Sequence, residues 1–169
     1  VQGHPGTGKR VETSERIATC LWFDDNAEAA VAFYSEIFPD VEEVGRLHAG
    51  EAGPRPAGSV LTITFTLFGR QFVALNGGPD FTFSPAVSHM VICDSQAEID
   101  RYWERLREGG ETLQCGWLTD RFGVTWQVVP SALQTMLQDG DSAQCDRVMR
   151  AVLTMTKIDI AALEAAYRG

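Results

Sequence analysis

A repeat constrains this chain more than any other feature. Asp24, Ala27 and Glu28 recur as Asp94, Ala97 and Glu98, at a constant offset of 70 residues. Each triplet sits in the same setting. An alternating apolar run (Arg16 to Phe23, Val87 to Cys93) leads into a polar turn and then a helix-period stripe. Ala30, Val31, Phe33, Tyr34, Ile37 and Phe38 form the first stripe, predicting a helix over 27–38. Ile99, Tyr102, Trp103 and Leu106 form the second, predicting one over 97–107. A second echo sets Phe68-Gly69 and Phe72 beside Phe122-Gly123 and Trp126. Strands are predicted at 41–47, 60–68 and 71–75 in the first half and at 124–129 in the second. One half alone is too small to bury a good core, so the two must pair. The expected fold is α+β: paired βαβββ modules, about 16–79 and 86–130, curving around a shared cleft. Past Pro130, segments 131–138, 142–156 and 159–167 are rich in Ala, Leu and Met. They predict a C-terminal helical extension over 131–169.

The connections are read from their turn residues. Asp24-Asp25-Asn26 and Asp94-Ser95-Gln96 are helix-capping turns. His48 to Ser59 holds three Gly and two Pro, a loop long enough to act as a flap. Gly69-Arg70 reads as a tight hairpin turn, and Glu108-Gly109-Gly110 as a helix stop. Residues 1–15 are polar and Gly-rich without a period, and read as a tail. Within them Gly3 to Lys9 fits the phosphate-loop spacing G-x-x-x-x-G-K. No strand precedes it, and Arg10 stands where Ser or Thr would hold magnesium.

Composition closes several functional classes. A net charge of −9 disfavours nucleic acid and anionic membrane surfaces as partners, since both need clustered Lys and Arg. No apolar run of about 18 residues occurs, so no membrane span is expected. With no apolar signal region at the start, a cytoplasmic location is expected. Cys20, Cys93, Cys115 and Cys145 are widely spaced, which suits reduced thiols rather than a zinc knuckle or a disulfide framework.

The segment Cys115 to Pro130 concentrates the candidate chemistry. It holds Trp117 and Trp126, a Cys-Gly pair and the strand Val124 to Val129. Along that strand Thr125 and Gln127 face one way, and Trp126 and Val128 the other. Trp22, Trp117 and Trp126 are candidate walls of a cleft suited to a flat, partly apolar molecule. Thr64, Thr66, Asn76, Asp120 and Gln127 are candidate hydrogen-bonding groups. Each has a plainer reading: Thr is a good strand former, Asp a turn residue, Trp a core residue. Cys115, His89 and Gln127 are the candidate catalytic groups. Cys115 would need a neighbouring base to act as a nucleophile, and none is identifiable in the sequence.

These residues resemble a known group. Ala27-Glu28-Ala29 with Phe33-Tyr34 and Phe38-Pro39, Leu75-Asn76-Gly77-Gly78-Pro79, and Glu98-Ile99-Asp100 with Trp103 are similar to the PhnB-like group. So are Gly109-Gly110, Cys115-Gly116-Trp117 with Asp120, Phe122-Gly123, Trp126-Gln127, Pro130, and Met155 with Lys157-Ile158-Asp159-Ile160. That group carries the label 3-demethylubiquinone-9 3-methyltransferase. It lies within the vicinal oxygen chelate superfamily of glyoxalases, extradiol dioxygenases and bleomycin-resistance proteins. The resemblance covers about residues 18–168. It implies a homodimer with a small-molecule site between modules. Metal-dependent members place a His and a Glu from each module in that site. By position the Glu sites fall on Val73 and Gln127, and the only first-strand His is His89, so no metal and no other cofactor is expected. No G-x-G lies between a strand and a helix, as a methyl-donor site of Rossmann type would need. Two functions follow as expectations. One is sequestration of a small organic molecule in the cleft without chemistry. The other is a metal-independent enzyme acting on a small oxygenated substrate.

Overall fold

The computed structural model describes residues 16–169. The tail over 1–15, with its phosphate-loop look-alike and His4, lies outside the described residues. The chain divides into two compact units, Val1–Phe81 and Thr82–Gly169.

In the first unit the order is β1 (Thr19–Phe23), α1 (Ala27–Ile37), β2 (Glu42–His48), β3 (Val60–Leu67) and β4 (Arg70–Asn76). They form one sheet in the order β1-β4-β3-β2. β1 and β4 run parallel, and the other pairs are antiparallel. Alternation decides which face is covered. Leu21, Phe23, Ile63, Phe65, Leu67, Phe72 and Ala74 are buried, while their sequence neighbours are half-buried or exposed. α1 covers that apolar face: Tyr34 stacks on Phe65 at 6.5 Å, and Phe65 on Phe72 at 5.4 Å. The hairpin turn is Phe68-Gly69 rather than Gly69-Arg70, because Leu67 already pairs with Arg70. Both turn residues take positive φ, 48° and 74°, as a two-residue hairpin of the right twist demands. The loop expected as a flap is closed at its neck. Ala49 N donates to Ser59 O and Gly58 N to Ala49 O, each at 2.8 Å.

The second unit repeats this order: β5 (His89–Cys93), α2 (Gln96–Leu106), β6 (Glu111–Thr112), β7 (Trp117–Thr119) and β8 (Thr125–Pro130). Its sheet order, β5-β8-β7-β6, is that of the first sheet strand for strand. The echo of Phe72 in Trp126 is therefore structural: both are buried on the central strand that pairs with the unit's first strand. β6 and β7 have two and three residues, too few to show alternation in the sequence. Helices α3 (Ser131–Asp139), α4 (Ser142–Leu153) and α5 (Ile160–Arg168) follow within the same unit. Val148, Val152, Ile158 and Leu163 form a small core there, with Cys115, Met136 and Tyr167 packed against it. No helix among the described residues is long and apolar enough to cross a membrane.

Candidate functional site

Each sheet has a second face, opposite the one its first helix packs on. On the first sheet it carries Cys20 and Trp22 of β1, Gln71, Val73 and Leu75 of β4, and the threonines of β3. The register confirms the grouping: Cys20 pairs with Val73, Trp22 with Leu75, and Thr64 with Val73. Trp22, Thr64 and Thr66 are half-buried, so each keeps a surface to offer. Trp22 is held firmly. Its indole N–H donates to Gly78 O at 2.8 Å, and its ring meets Phe81 edge-on at 5.0 Å. Gly77 lies directly beneath it, where any Cβ would collide with the indole. The Gly77-Gly78 pair after β4 thus serves as the seat of this ring. Burial pushes the Cys20 thiol up, so it is a poor nucleophile.

On the second sheet the corresponding face carries Met90 and Ile92 of β5, Thr125, Gln127 and Val129 of β8, and Trp117 and Thr119 of β7. Trp117 lies opposite Gln127, and Thr119 opposite Thr125. The Gln127 amide N donates to Ser88 Oγ at 2.8 Å, which fixes its orientation. Phe83 lies beside Gly123, at the start of β8. Thr125 was not singled out as a ligand contact in the sequence, although its parity with Gln127 was the available signal.

Three other expected ligand contacts lie elsewhere. Asn76 is 1% exposed, and its Oδ1 accepts from Ala27 N at 2.9 Å. Its amide N donates to Glu28 Oε2 and Val60 O. It caps α1 from across the unit, and the side chain of Asn26, the residue in the cap position, makes no capping bond. Asp120 is 2% exposed and organises the β7–β8 turn. Its carboxylate accepts from Phe122 N, Val124 N and the Trp126 indole N–H at 2.9–3.0 Å. Trp126 is itself 3% exposed, on the face opposite Gln127.

Cys115 and Gly116 form a seat for the C-terminal helices. They take φ of 62° and 80°, and their N–H groups donate to Met155 O and Thr156 O, each at 2.7 Å. The Cys115 side chain packs on the small helical core. α2 supplies the rest of the attachment. Gln96 donates to Ile158 O and accepts from Ile160 N, and Lys157 pairs with Asp100 at 2.7 Å.

The residues do not fit the metal set of the vicinal oxygen chelate fold. Val73 has no donor atom, and Gln127 is a neutral amide engaged with Ser88. His89 pairs in register with Trp126 and packs on its ring at 5.3 Å, whereas Gln127 pairs with Met90. Adjacent strand positions point to opposite faces, so His89 and Gln127 cannot share one ion. Among the described residues, no three His, Cys, Asp or Glu side chains are grouped to hold a metal.

Known proteins supply an independent comparison. The sequence profile of a family described as 3-demethylubiquinone-9 3-methyltransferase matches residues 15–129. A putative 3-demethylubiquinone-9 3-methyltransferase, PhnB protein, from Bacillus cereus is similar at 35% identity and a TM-score of 0.63. That match covers 69% of this chain and 100% of the other. A protein from Pseudomonas aeruginosa matches at 25% identity and TM-score 0.57, over 69% of this chain and 98% of its own. The fosfomycin resistance protein FosX of Listeria monocytogenes, complexed with Mn(II) and sulfate, matches at 18% identity. Its TM-score of 0.52, over 75% of this chain and 98% of the other, is a likeness of fold alone. No match is found among curated proteins.

Proposed function

The chain belongs to the 3-demethylubiquinone-9 3-methyltransferase family, with the vicinal oxygen chelate fold, and on that premise we propose that it binds a small, uncharged, partly aromatic molecule without a metal. The candidate binding surfaces are the faces of the two sheets away from α1 and α2, each taken by itself, with Trp22, Thr64 and Thr66 as contacts on the first and Trp117 and Gln127 on the second. One observation carries this reading. On β1, β3, β4, β5, β7 and β8 those faces hold only Cys, Trp, Thr, Gln, Met and aliphatic residues. Carboxylates enter them only at the outer strands, where Glu42 pairs with Thr66 and Glu111 with Thr119. Inside those outer strands the lining offers rings to stack on and neutral groups for hydrogen bonds, with no countercharge for an ionised ligand.

Methyl transfer is not part of the proposal. The strand-to-helix turns are Asp24-Asp25-Asn26 and Asp94-Ser95, without the glycines that a methyl-donor nucleotide site of Rossmann type uses. Calorimetry with S-adenosylmethionine should give no saturable heat. The reading includes a homodimer in the cytoplasm. Exposed Met90 and Ile92 on β5, at the end of its sheet, support the dimer. Light scattering tests it.

The direct test is a thermal-shift screen of uncharged aromatic compounds on protein treated with EDTA. Binding should raise Tm without added metal. Trp22→Ala should weaken binding at the first sheet and Trp117→Ala binding at the second, each by roughly tenfold, the scale of one lost aromatic contact. Binding that appears only with added divalent metal sinks the proposal.

A further inference from the structure

Among the described residues, two buried side-chain polar atoms have no hydrogen-bond partner: Arg55 Nε and Thr125 Oγ1. Arg55 sits in the loop after β2, and its guanidinium already donates to Asp24 O. Thr125 is different. It is 1% exposed, at the first position of β8, and its hydroxyl has no partner among the described residues. A hydroxyl closed off from water with no partner forfeits its hydrogen bonds with solvent and gains none in return. If the position served only strand formation and packing, Val would fill the same volume without that penalty. The hydroxyl therefore keeps a hydrogen-bonding capacity that no group among the described residues takes up.

Its surroundings define the kind of atom that fits. Thr125 shares a face with Gln127, two residues on, and lies opposite Thr119. The Gln127 amide N gives one of its two N–H groups to Ser88, which orients the amide and leaves its oxygen as an acceptor toward a ligand. Trp117 stands opposite Gln127, and Phe83 flanks Gly123 at the start of the strand. Neutral hydrogen-bonding groups therefore lie beside aromatic rings, with the Asp120 carboxylate spent on the turn and the Trp126 indole, and Glu111 on the outer strand.

We propose that Thr125 is the specificity-determining contact of the second sheet: its hydroxyl bonds a neutral oxygen, hydroxyl or carbonyl, carried on an aromatic ring. The inference rests on the small-molecule reading above and deepens it, since it names the polar group the ligand must carry. A site built around an unpaired hydroxyl discriminates strongly against an analogue that lacks the matching group.

Phenol and toluene, which differ by one hydroxyl in place of a methyl, serve as the probes. Wild type, Thr125→Val and Thr125→Ser are compared by thermal unfolding and by calorimetric titration. In the free state Thr125→Val should unfold at a higher temperature than wild type, because the unpaired hydroxyl is gone. Wild type should prefer phenol by roughly tenfold, the worth of about one hydrogen bond. That preference should vanish in Thr125→Val and persist in Thr125→Ser. A lowered Tm of free Thr125→Val overturns the proposal, because the hydroxyl then has a partner in the free protein. A phenol preference that survives in Thr125→Val overturns it too, as does equal wild-type binding of both probes. None of these results touches the small-molecule reading. Wild type that binds neither probe counts against that reading, and the inference falls with it.

Discussion

A methyl group added at Gly116 would lie 2.8 Å from Val128 O and 2.9 Å from Ile158 Cγ1. The first neighbour is backbone in a sheet and cannot yield, and φ is already +80°. Gly116→Ala should therefore cost about 2–3 kcal/mol of stability in denaturant unfolding. Limited proteolysis of that variant should cut first between residues 131 and 169. The two asparagines near α1 separate cap position from cap chemistry. Asn26 precedes the helix without a side-chain bond, whereas Asn76 holds Ala27 N from β4. Asn26→Ala should cost a few tenths of a kcal/mol, and Asn76→Ala about 2 kcal/mol, since buried partners are left open. Cys93 gives a pH signature. Burial, then the charges of Glu98 and Asp94, push its thiol from 9.0 up to about 12. The unfolded chain ionises near the ordinary value and the native chain only near the raised one. Stability is complete below pH 9 and falls as pH rises from 9 toward 12. The slope from this group is about 1.4 kcal/mol per pH unit, and Cys93→Ala should flatten that part of the profile.

Strand parity decides what an element can present. Gln127 and His89 stand one register position apart on paired strands, and that single step sends them to opposite faces. Gln127→Glu should therefore create no tight site for zinc or manganese, even though it puts a carboxylate at the position where the resemblance implies one. Calorimetric titration of the variant with each ion checks this, and a tight one-to-one isotherm would contradict the parity argument. The same parity made much of the fold legible in the sequence. Alternation over 60–67 and 70–76 and the stripes of α1 and α2 were long enough to give element type and buried face. The short strands β6 and β7 were not legible, because a run of two or three residues has no period. The site was legible in part. Thr125 and Gln127 were separated from Trp126 by alternation alone. What alternation could not show was that Asn76 and Asp120 spend their polar atoms on a helix end and a turn. Those partners lie on backbone that comes near only in the folded chain.

At the scale of the molecule, two copies of one βαβββ plan carry unlike duties. The second also seats three helices through Cys115-Gly116 and the Gln96–Asp100 turn of α2. This accounts for a Cys-Gly pair that, as sequence, invited a catalytic reading. Away from their outermost strands both copies present a sheet face of neutral residues, and Val73 and Gln127 offer no anionic metal ligand there. The proposed role of those faces is to take a neutral small molecule without a bound metal. The most direct measurement is a two-dimensional NMR titration of isotope-labelled protein with phenol, in the presence of EDTA. Saturable shifts are expected at the indole signals of Trp22 or Trp117 and at the amides of Thr125 and Gln127, with the Trp126 indole unmoved. Shifts that saturate only after a divalent ion is added, or that map to α1 and α2 instead, would contradict that role.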